Sequence, residues 1–228
     1  MMGARSLPIT CEVFQVGGYG YTDPQDAAVY LMTIDGRAAL VDAGCGRATD
    51  LLLANVESTG TDPGAIEWLL LTHCHYDHAG GAKALRRLLG CRVVAHALDA
   101  PYVEAGDDTV TAASWYGTTM TPCPVDRKIA AEQDTIALGS RSLEAIAIPG
   151  HSPGSLAYLL ESEGARVLFA QDVHGPLHAD LLSRRDDYQS SLRRLLELRA
   201  DVLCEGHYGI YRGRAAVDGY IAQFITAA

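Results

Sequence analysis

The sequence is short of basic residues and has no long apolar run. Lys and Arg number 18 against 28 Asp and Glu, which leaves a formal net charge of −10 with the histidines neutral. Because nucleic-acid backbones attract basic surfaces, this charge argues against a nucleic-acid partner. No segment approaches the ~20 apolar residues that a membrane-spanning helix needs, which argues against a membrane partner. The N-terminal part also lacks an apolar stretch of signal-peptide length, so we expect a cytoplasmic protein.

Paired cysteines, repeats and linkers are absent as well. The six cysteines are scattered and none forms a Cys-x-x-Cys pair, so in a cytoplasmic protein we expect them to be reduced and mostly buried. There is no internal repeat, no low-complexity tract and no linker rich in Pro, Gly or Ser. With 228 residues, 48% of them apolar, the chain predicts a single domain over residues 1–228 with a sizeable core.

Predicted strands and helices follow one another in two similar series. The first series has strands at residues 12–16, 29–34, 37–41, 66–71 and 91–95, and helices at 48–58 and 82–89. The second has strands at 135–138, 142–148, 156–161, 167–170 and 202–204, and helices at 186–199 and 215–225. This order predicts an α/β (α+β) fold in which two layered halves pack sheet to sheet with the helices outside.

Residues 101–127 interrupt this pattern. They lack clean periodicity and contain Trp115, Tyr116 and three prolines. Long irregular segments in compact domains are usually functional lids or disordered. The aromatic residues favour either a lid that lines an apolar pocket or a contact in a homodimer, and both interpretations stay open.

The densest group of metal-type ligands follows the apolar run at 68–71. His73, His75, Asp77 and His78 fall within six positions. Imidazole and carboxylate groups bind zinc, iron or manganese, and a short loop lets neighbouring ligands point in different directions. The alternative is a polar turn in which Asp77 or His78 caps a helix. Four metal-type ligands in so short a segment make the metal interpretation the stronger one.

Four further polar residues each follow an apolar run: Asp42, His151, Asp172 and His207. Polar residues at strand ends tend to gather at one rim of a sheet, and neighbouring glycines let the backbone turn sharply there. Taken singly, each has a structural alternative. His151 lies in a Pro-Gly turn, and Asp42 would satisfy backbone amides in its own turn.

Taken together, these residues resemble the metallo-β-lactamase-fold hydrolase superfamily, whose hallmark is His-x-His-x-Asp-His, and within it the glyoxalase-II-like group. The resemblance runs from about residue 12 to the C-terminus and implies a four-layer αβ/βα sandwich with its site at one sheet rim. The metal ligands that it implies are His73, His75 and His151 for a first ion, Asp77, His78 and His207 for a second, and Asp172 as a bridge. Asp42 would orient ligand side chains.

The implied activity is hydrolysis of a small-molecule ester, thioester or lactone by two divalent metal ions. Zinc is the first expectation, with iron or manganese as alternatives. Such a pair lowers the pKa of a shared water toward ~7, and the resulting hydroxide attacks a carbonyl carbon. Asp77 would orient this hydroxide or take a proton. His174 and Tyr208 are candidate substrate contacts. The alternatives are that His174 lies in a surface loop and that Tyr208 only packs against its neighbours.

Other branches of the superfamily fit the sequence less well. True β-lactamases usually carry Cys or Ser where Asp172 stands, and the diiron oxygen-reducing branch has Glu at the position of His75. Glyoxalase II has a C-terminal helical extension that binds glutathione, whereas few residues follow His207 here, so we expect another thioester or ester. The alternative activity is a mononuclear iron-dependent persulfide dioxygenase on the same fold, and a non-catalytic sensor is a third hypothesis.

Overall fold

Two mixed β-sheets form the centre of the structure, a computed structural model that describes residues 5–225. The first sheet has seven strands in chain order: β1 (Leu7–Pro8), β2 (Val13–Gly17), β3 (Val29–Ile34), β4 (Arg37–Val41), β5 (Ile66–Leu70), β6 (Arg92–His96) and β7 (Arg127–Ile129). The second sheet contains β8 (Gln133–Leu138), β9 (Arg141–Ala147), β10 (Leu156–Ser162), β11 (Ala165–Phe169), β12 (Val202–Cys204) and β13 (Ile210–Arg212). Its spatial order runs from β13 back to β8.

Helices cover the outer face of each sheet. They are α1 (Thr49–Ser58), α2 (Tyr76–Ala79), α3 (Ala82–Leu89), α4 (Ala100–Ala105), α5 (Arg185–Glu197) and α6 (Arg214–Ala222). One apolar cluster lies between the sheets, a second lies under α1 and α3, and a third lies under α5 and α6. The predicted four-layer sandwich of two packed sheets with outer helices is therefore confirmed.

The central strands read as continuous apolar runs because both of their faces are buried. In β3, Leu31 packs into the cluster under the helices, whereas Tyr30 and Met32 pack between the sheets. The turn to β4 uses Asp35 and Gly36, with φ values of 51° and 73°, as the two-residue hairpin predicted from this pair requires. Both strands have the predicted bounds.

The structure differs from the predicted elements mainly at their ends. The helix predicted at 186–199 stops at Glu197, and Arg199 follows it as an exposed residue with a φ of 52°. Arg199 therefore does not belong to the apolar face of α5. The short edge strands β1 and β13 had no pattern of their own, because two or three residues at a sheet edge show no periodicity.

The irregular segment 101–127 is partly helical, and its last residue begins a strand of the first sheet. It contains most of α4 and a 3₁₀ turn at Ala113–Tyr116, and β7 then pairs in parallel with β6. The segment is thus anchored at both ends to the first sheet, and its middle part lies beside the strand ends.

Parallel pairing brings the site residues to one rim. Strands β4, β5 and β6 are parallel neighbours, as are β11 and β12, so the loops after them meet at the same edge. Two buried tyrosines connect the sheets there. Tyr158 donates a hydrogen bond to the carbonyl of Leu71 (2.8 Å), and Tyr30 donates one to the carbonyl of Glu205 (2.7 Å). Among the described residues, no helix combines the length and the apolarity of a membrane span.

Replacing Gly150 by Ala should destabilise the fold strongly. Gly150 has a φ of +131°, and a Cβ there would overlap the backbone nitrogen and Cα of Tyr188 in α5. We expect the free energy of unfolding in urea to fall by about 3 kcal/mol. The control is Gly164→Ala, where φ is +76° but no heavy atom lies within 4 Å, so only backbone strain of about 1 kcal/mol is expected. Equal losses in the two variants would contradict this packing.

Candidate metal centre

A first group of four buried side chains converges at the rim: His73, His75, His151 and Asp172. One ligand atom from each lies within 4.8 Å of all the others. His151 Nε2 is 3.0 Å from His75 Nδ1 and 3.1 Å from Asp172 Oδ2, and His73 Nε2 is 3.7 Å from the same carboxylate oxygen. The loop after β5, the β9–β10 loop and the loop after β11 thus meet in one cluster.

A second group, Asp77, His78 and His207, lies on the other side of Asp172. Asp172 Oδ1 is 3.2 Å from both His78 Nε2 and His207 Nε2. His207 Nε2 is also 3.2 Å from Asp77 Oδ2. The structure therefore brings together all seven predicted ligands, with Asp172 between the two groups. His207 is the most accessible of them, with 31% of its side chain exposed.

The donor set fits divalent metal ions. Six buried side-chain nitrogen or oxygen atoms of the described residues have no hydrogen-bond partner, and four of these are His73 Nε2, His75 Nε2, His78 Nε2 and Asp172 Oδ1. Buried polar atoms are nearly always hydrogen-bonded, so four such atoms in one cluster require another partner. Imidazole nitrogens beside carboxylate oxygens are the donors that zinc, iron and manganese accept.

The carboxylates control where protons lie in this cluster. Burial lowers the pKa of His75 to about 3, with repulsion from His151 adding to the effect. Burial also acts to lower the pKa of His78 and His207, but the nearby carboxylates outweigh it. They raise the pKa of His207 to about 10 and hold that of His78 well above its usual value. Without metal, protons on His78 and His207 balance the buried negative charge.

Asp42 orients one of the histidines. Its Oδ2 lies 2.8 Å from His78 Nδ1 and accepts the Thr72 hydroxyl at 2.7 Å, while Oδ1 accepts the Thr72 backbone N–H at 2.8 Å. The same carboxylate thus satisfies a backbone amide and contacts the His78 ring, and its role in orienting a metal ligand stays a prediction. His151 is oriented similarly, because its Nδ1–H donates to the Pro176 carbonyl at 2.9 Å. Such bonds leave the other ring nitrogen free to act as a ligand.

Asp99 is a site residue that the sequence reasoning missed. It is fully buried beyond β6 and accepts three hydrogen bonds, from Cys74 N (3.0 Å), Ser152 Oγ (2.7 Å) and Gly154 N (2.6 Å). Asp99 therefore connects the loop that carries His73 and His75 to the loop that carries His151. The available signal was its place just after a predicted strand, the same context as Asp42 and Asp172.

Glu205 is the second missed residue. Its fully buried carboxylate accepts the backbone N–H of His207 (2.7 Å) and of Tyr208 (2.9 Å) through Oε2, and His174 Nδ1 at 2.9 Å through Oε1. It therefore positions His207 and His174 together. A carboxylate two residues before a candidate ligand was the signal in the sequence.

The ligand groups open into a cavity of about 250 Å³. Trp115 and Tyr116 from the irregular segment line it, and so do His174 and Tyr208. Residues 101–127 thus contribute two aromatic side chains to the cavity wall, and a lid or a homodimer contact stays a prediction for this segment. His178 lies outside both ligand groups with 51% of its side chain exposed.

Comparisons with known proteins agree with this geometry. The family model of the metallo-beta-lactamase superfamily matches residues 22–207. A hydroxyacylglutathione hydrolase of Anaeromyxobacter dehalogenans is 35% identical over 140 residues, which are 61% of this chain and 44% of the relative. The chain thus spans less than half of that protein's length. An acyl-coenzyme A thioesterase of Gallus gallus is 29% identical over 233 residues, covering 90% of this chain and 80% of the relative.

Solved structures share the same architecture. A metallo-beta-lactamase of Cronobacter sakazakii superposes with a TM-score of 0.80 at 22% identity, over 96% of this chain and 93% of that one. The metallo-beta-lactamase MIM-1 of Novosphingobium pentaromativorans gives 0.79 at 25% identity, over 97% and 88%. Because the family model covers most of the chain, and the fold and the ligand order agree with it, the chain belongs to the metallo-beta-lactamase superfamily.

Proposed function

We propose that the chain is a hydrolase that uses two divalent metal ions to cleave a small-molecule thioester, ester or lactone. The observation that carries this proposal is the position of Asp172 between two histidine-containing groups whose buried donor atoms lack other partners. His73, His75 and His151 would hold one ion, Asp77, His78 and His207 the other. Ions bound there would supply an activated water and polarise a carbonyl group. Zinc is the first expectation, and iron or manganese would suit the same ligands.

Asp77 is suited to orient the attacking water and to accept its proton. Burial acts to raise its pKa, but His78 and His207 outweigh this and lower it below the usual value. Asp77 is therefore a carboxylate at neutral pH. It also lines the cavity in which a substrate would bind, which is the position that a residue acting on the attacking water needs.

His174 and Tyr208 would contact the substrate on the side of the second ligand group. Because Glu205 binds Nδ1 of His174, Nε2 is the nitrogen left for a substrate atom. Tyr208 shares the cavity wall with His174, and their rings lie 4.7 Å apart. The Tyr208 hydroxyl can donate a hydrogen bond to an oxygen of the bound substrate, whereas His174 Nε2 accepts one when the ring proton lies on Nδ1 beside Glu205.

A thioester is the substrate class that the comparisons favour. Hydroxyacylglutathione hydrolase and acyl-coenzyme A thioesterase are both names of enzymes that act on acyl groups carried by a thiol. The acidic net charge of this chain supports a small molecule over a nucleic acid. A cytoplasmic location and a homodimer stay predictions from the sequence.

A mononuclear iron dioxygenase is the competing proposal. It would use only the first ligand group. The second group is also complete, and Asp42 holds its His78 ring by a hydrogen bond. Elemental analysis of the purified protein separates the two proposals. About two ions per chain support the hydrolase, and one iron with oxygen consumption on a persulfide supports the dioxygenase.

Replacing His75 by Ala should lower metal content and hydrolysis together. The variant loses one of the three imidazoles of the first group, so we expect sub-stoichiometric metal and at least about a 100-fold loss of kcat/KM on a panel of thioesters, esters and lactones. His96→Asn is the control, since His96 lies outside both groups and an Asn acceptor can still bind the Leu98 N–H. Unchanged hydrolysis by His75→Ala would refute metal-dependent catalysis at this site.

Replacing Asp42 by Asn should weaken metal binding without removing a ligand. Asn tolerates the φ of 64° at this position, but it removes the negative charge beside His78 Nδ1. We expect metal affinity to fall about 10- to 100-fold in competition with a chromogenic chelator. Asp62→Asn is the matched control, because that exposed carboxylate accepts only the N–H of Gly64. Equal affinities in the two variants would contradict the orienting role.

Metal binding should release protons and weaken in acid. His78 and His207 have raised pKa values and are protonated in the metal-free protein at neutral pH, whereas a metal ion binds the neutral imidazole. Affinity should therefore rise with pH, by up to about tenfold per unit for each proton released. Calorimetric titration with zinc in two buffers of different ionisation enthalpy measures the number released. A heat that is independent of the buffer would contradict this proton balance.

A further inference from the structure

A basic cavity of about 450 Å³ lies behind the aromatic wall of the metal pocket. Three cationic side chains line it, Arg47 from the loop after β4 and Lys83 and Arg87 from α3. The hydroxyl-bearing residues Thr118, Thr119 and Thr121 of the irregular segment complete its wall. We call this space the basic cavity.

No carboxylate binds the three cations of the basic cavity directly within residues 5–225, and Asp23 attracts Arg47 only through space. None of them takes part in an ion pair there, whereas the neighbouring Arg86 of α3 is bound to Asp126 at 2.8 Å. This grouping is unusual in a chain whose formal net charge is −10, since carboxylates are abundant enough to pair surface cations. The three side chains are exposed, so solvent screens their mutual repulsion, and together they present positive potential to an anion in the cavity.

Arg47 is held in place beside the cavity. Its guanidinium donates a hydrogen bond to the Gln25 side chain and lies 5.8 Å from the centre of the Tyr76 ring. Lys83 lies in the first turn of α3, which begins at Ala82, where the helix dipole adds positive potential. The cavity therefore presents one restrained guanidinium and two cations from a single helix.

The basic cavity borders the metal pocket through two tyrosines whose rings are in contact and tilted by 48°. Tyr76 lines the basic cavity and its ring centre is 5.4 Å from that of Tyr116, which lines the metal pocket. Gln25, the partner of Arg47, lines a further space together with Tyr116 and His207. Tyr76, Tyr116 and Gln25 thus connect the walls of the metal pocket, of this further space and of the basic cavity.

We propose that the basic cavity binds the phosphate groups of an extended substrate, a thioester whose thiol carries a phosphorylated nucleotide, while its carbonyl lies at the metal centre. This inference rests on the proposed function, which it makes more specific. A single carboxylate would neutralise one of the three cations, whereas phosphate groups carry two or more charges. Guanidinium binds phosphate through paired hydrogen bonds, and Lys and Thr add donors around it.

Selectivity between two thioesters tests the proposal. The metal-loaded enzyme is assayed with acetyl-coenzyme A and with the acetyl thioester of N-acetylcysteamine, which has the same reacting carbonyl and no phosphate. In the triple variant Arg47→Gln, Lys83→Gln, Arg87→Gln we expect the ratio of kcat/KM for the two substrates to fall at least about tenfold, a loss of about 1.4 kcal/mol. Arg193→Gln, an exposed substitution on α5, should leave the ratio unchanged. Lys83→Gln alone, an exposed position on α3, should shift the ratio in the same direction if the triple variant does not fold.

Direct binding separates this inference from the proposed function. Adenosine 3′,5′-bisphosphate and inorganic phosphate are titrated calorimetrically into the wild type and the variants. The proposal is supported if the nucleotide binds the cavity variants more weakly than the wild type. Inorganic phosphate should bind much more weakly than the nucleotide to all of these proteins. Binding of the nucleotide that is equal in wild type and variants, or a wild-type enzyme with no preference for acetyl-coenzyme A, overturns it. If neither thioester is cleaved, the thioester part of the proposed function fails, and loss of nucleotide binding in the variants would still show that the basic cavity binds phosphate groups.

Discussion

The buried carboxylate of Asp172 is the constraint on which the site depends. It lies within 3.2 Å of ring nitrogens from His78, His151 and His207, which come from three different loops. A negative charge at this depth is costly unless positive charge surrounds it. Protons on His78 and His207 supply that charge in the metal-free protein, and divalent ions would supply it in the proposed enzyme. The fold therefore buries negative charge that needs nearby positive charge, and the proposed metal ions would supply it.

The loops around Asp172 are held by further buried carboxylates rather than by apolar packing alone. Asp99 connects the His73–His75 loop to the loop of His151, and Glu205 connects His174 to the backbone of His207. Each accepts hydrogen bonds from backbone N–H groups, which positions the main chain and not only a side chain. The candidate ligands lie on loops, but buried carboxylates that follow strands of both sheets hold these loops in fixed positions.

Local patterns predicted the elements well where one interaction dominates. The hairpin at Asp35 and Gly36 follows from backbone stereochemistry, and the strands flanking it read as buried because both faces pack. Element ends were less predictable. Arg199 fits the periodicity of α5, yet the chain turns at φ 52° just before the β12 strand, because pairing with β11 determines where the helix must end. The apolar periodicity of the helix does not indicate where that pairing ends it.

The sequence by itself determined the two-sheet architecture, the identity and order of the seven candidate ligands, and the orienting residue Asp42. The architecture follows from apolar periodicity and the choice of candidate residues from side-chain chemistry, which are local, whereas the ligand assignment and the role of Asp42 are what the resemblance to the superfamily implies. Only the tertiary structure decided that Asp99 and Glu205 support the ligand loops, that Tyr116 separates the metal pocket from its neighbour, and that Arg47 and Lys83 share one cavity. These relations join residues from separate loops, helices and sheets. They arise when parallel strands bring distant loops to one rim, and no residue type or spacing along the chain specifies which of those loops will meet.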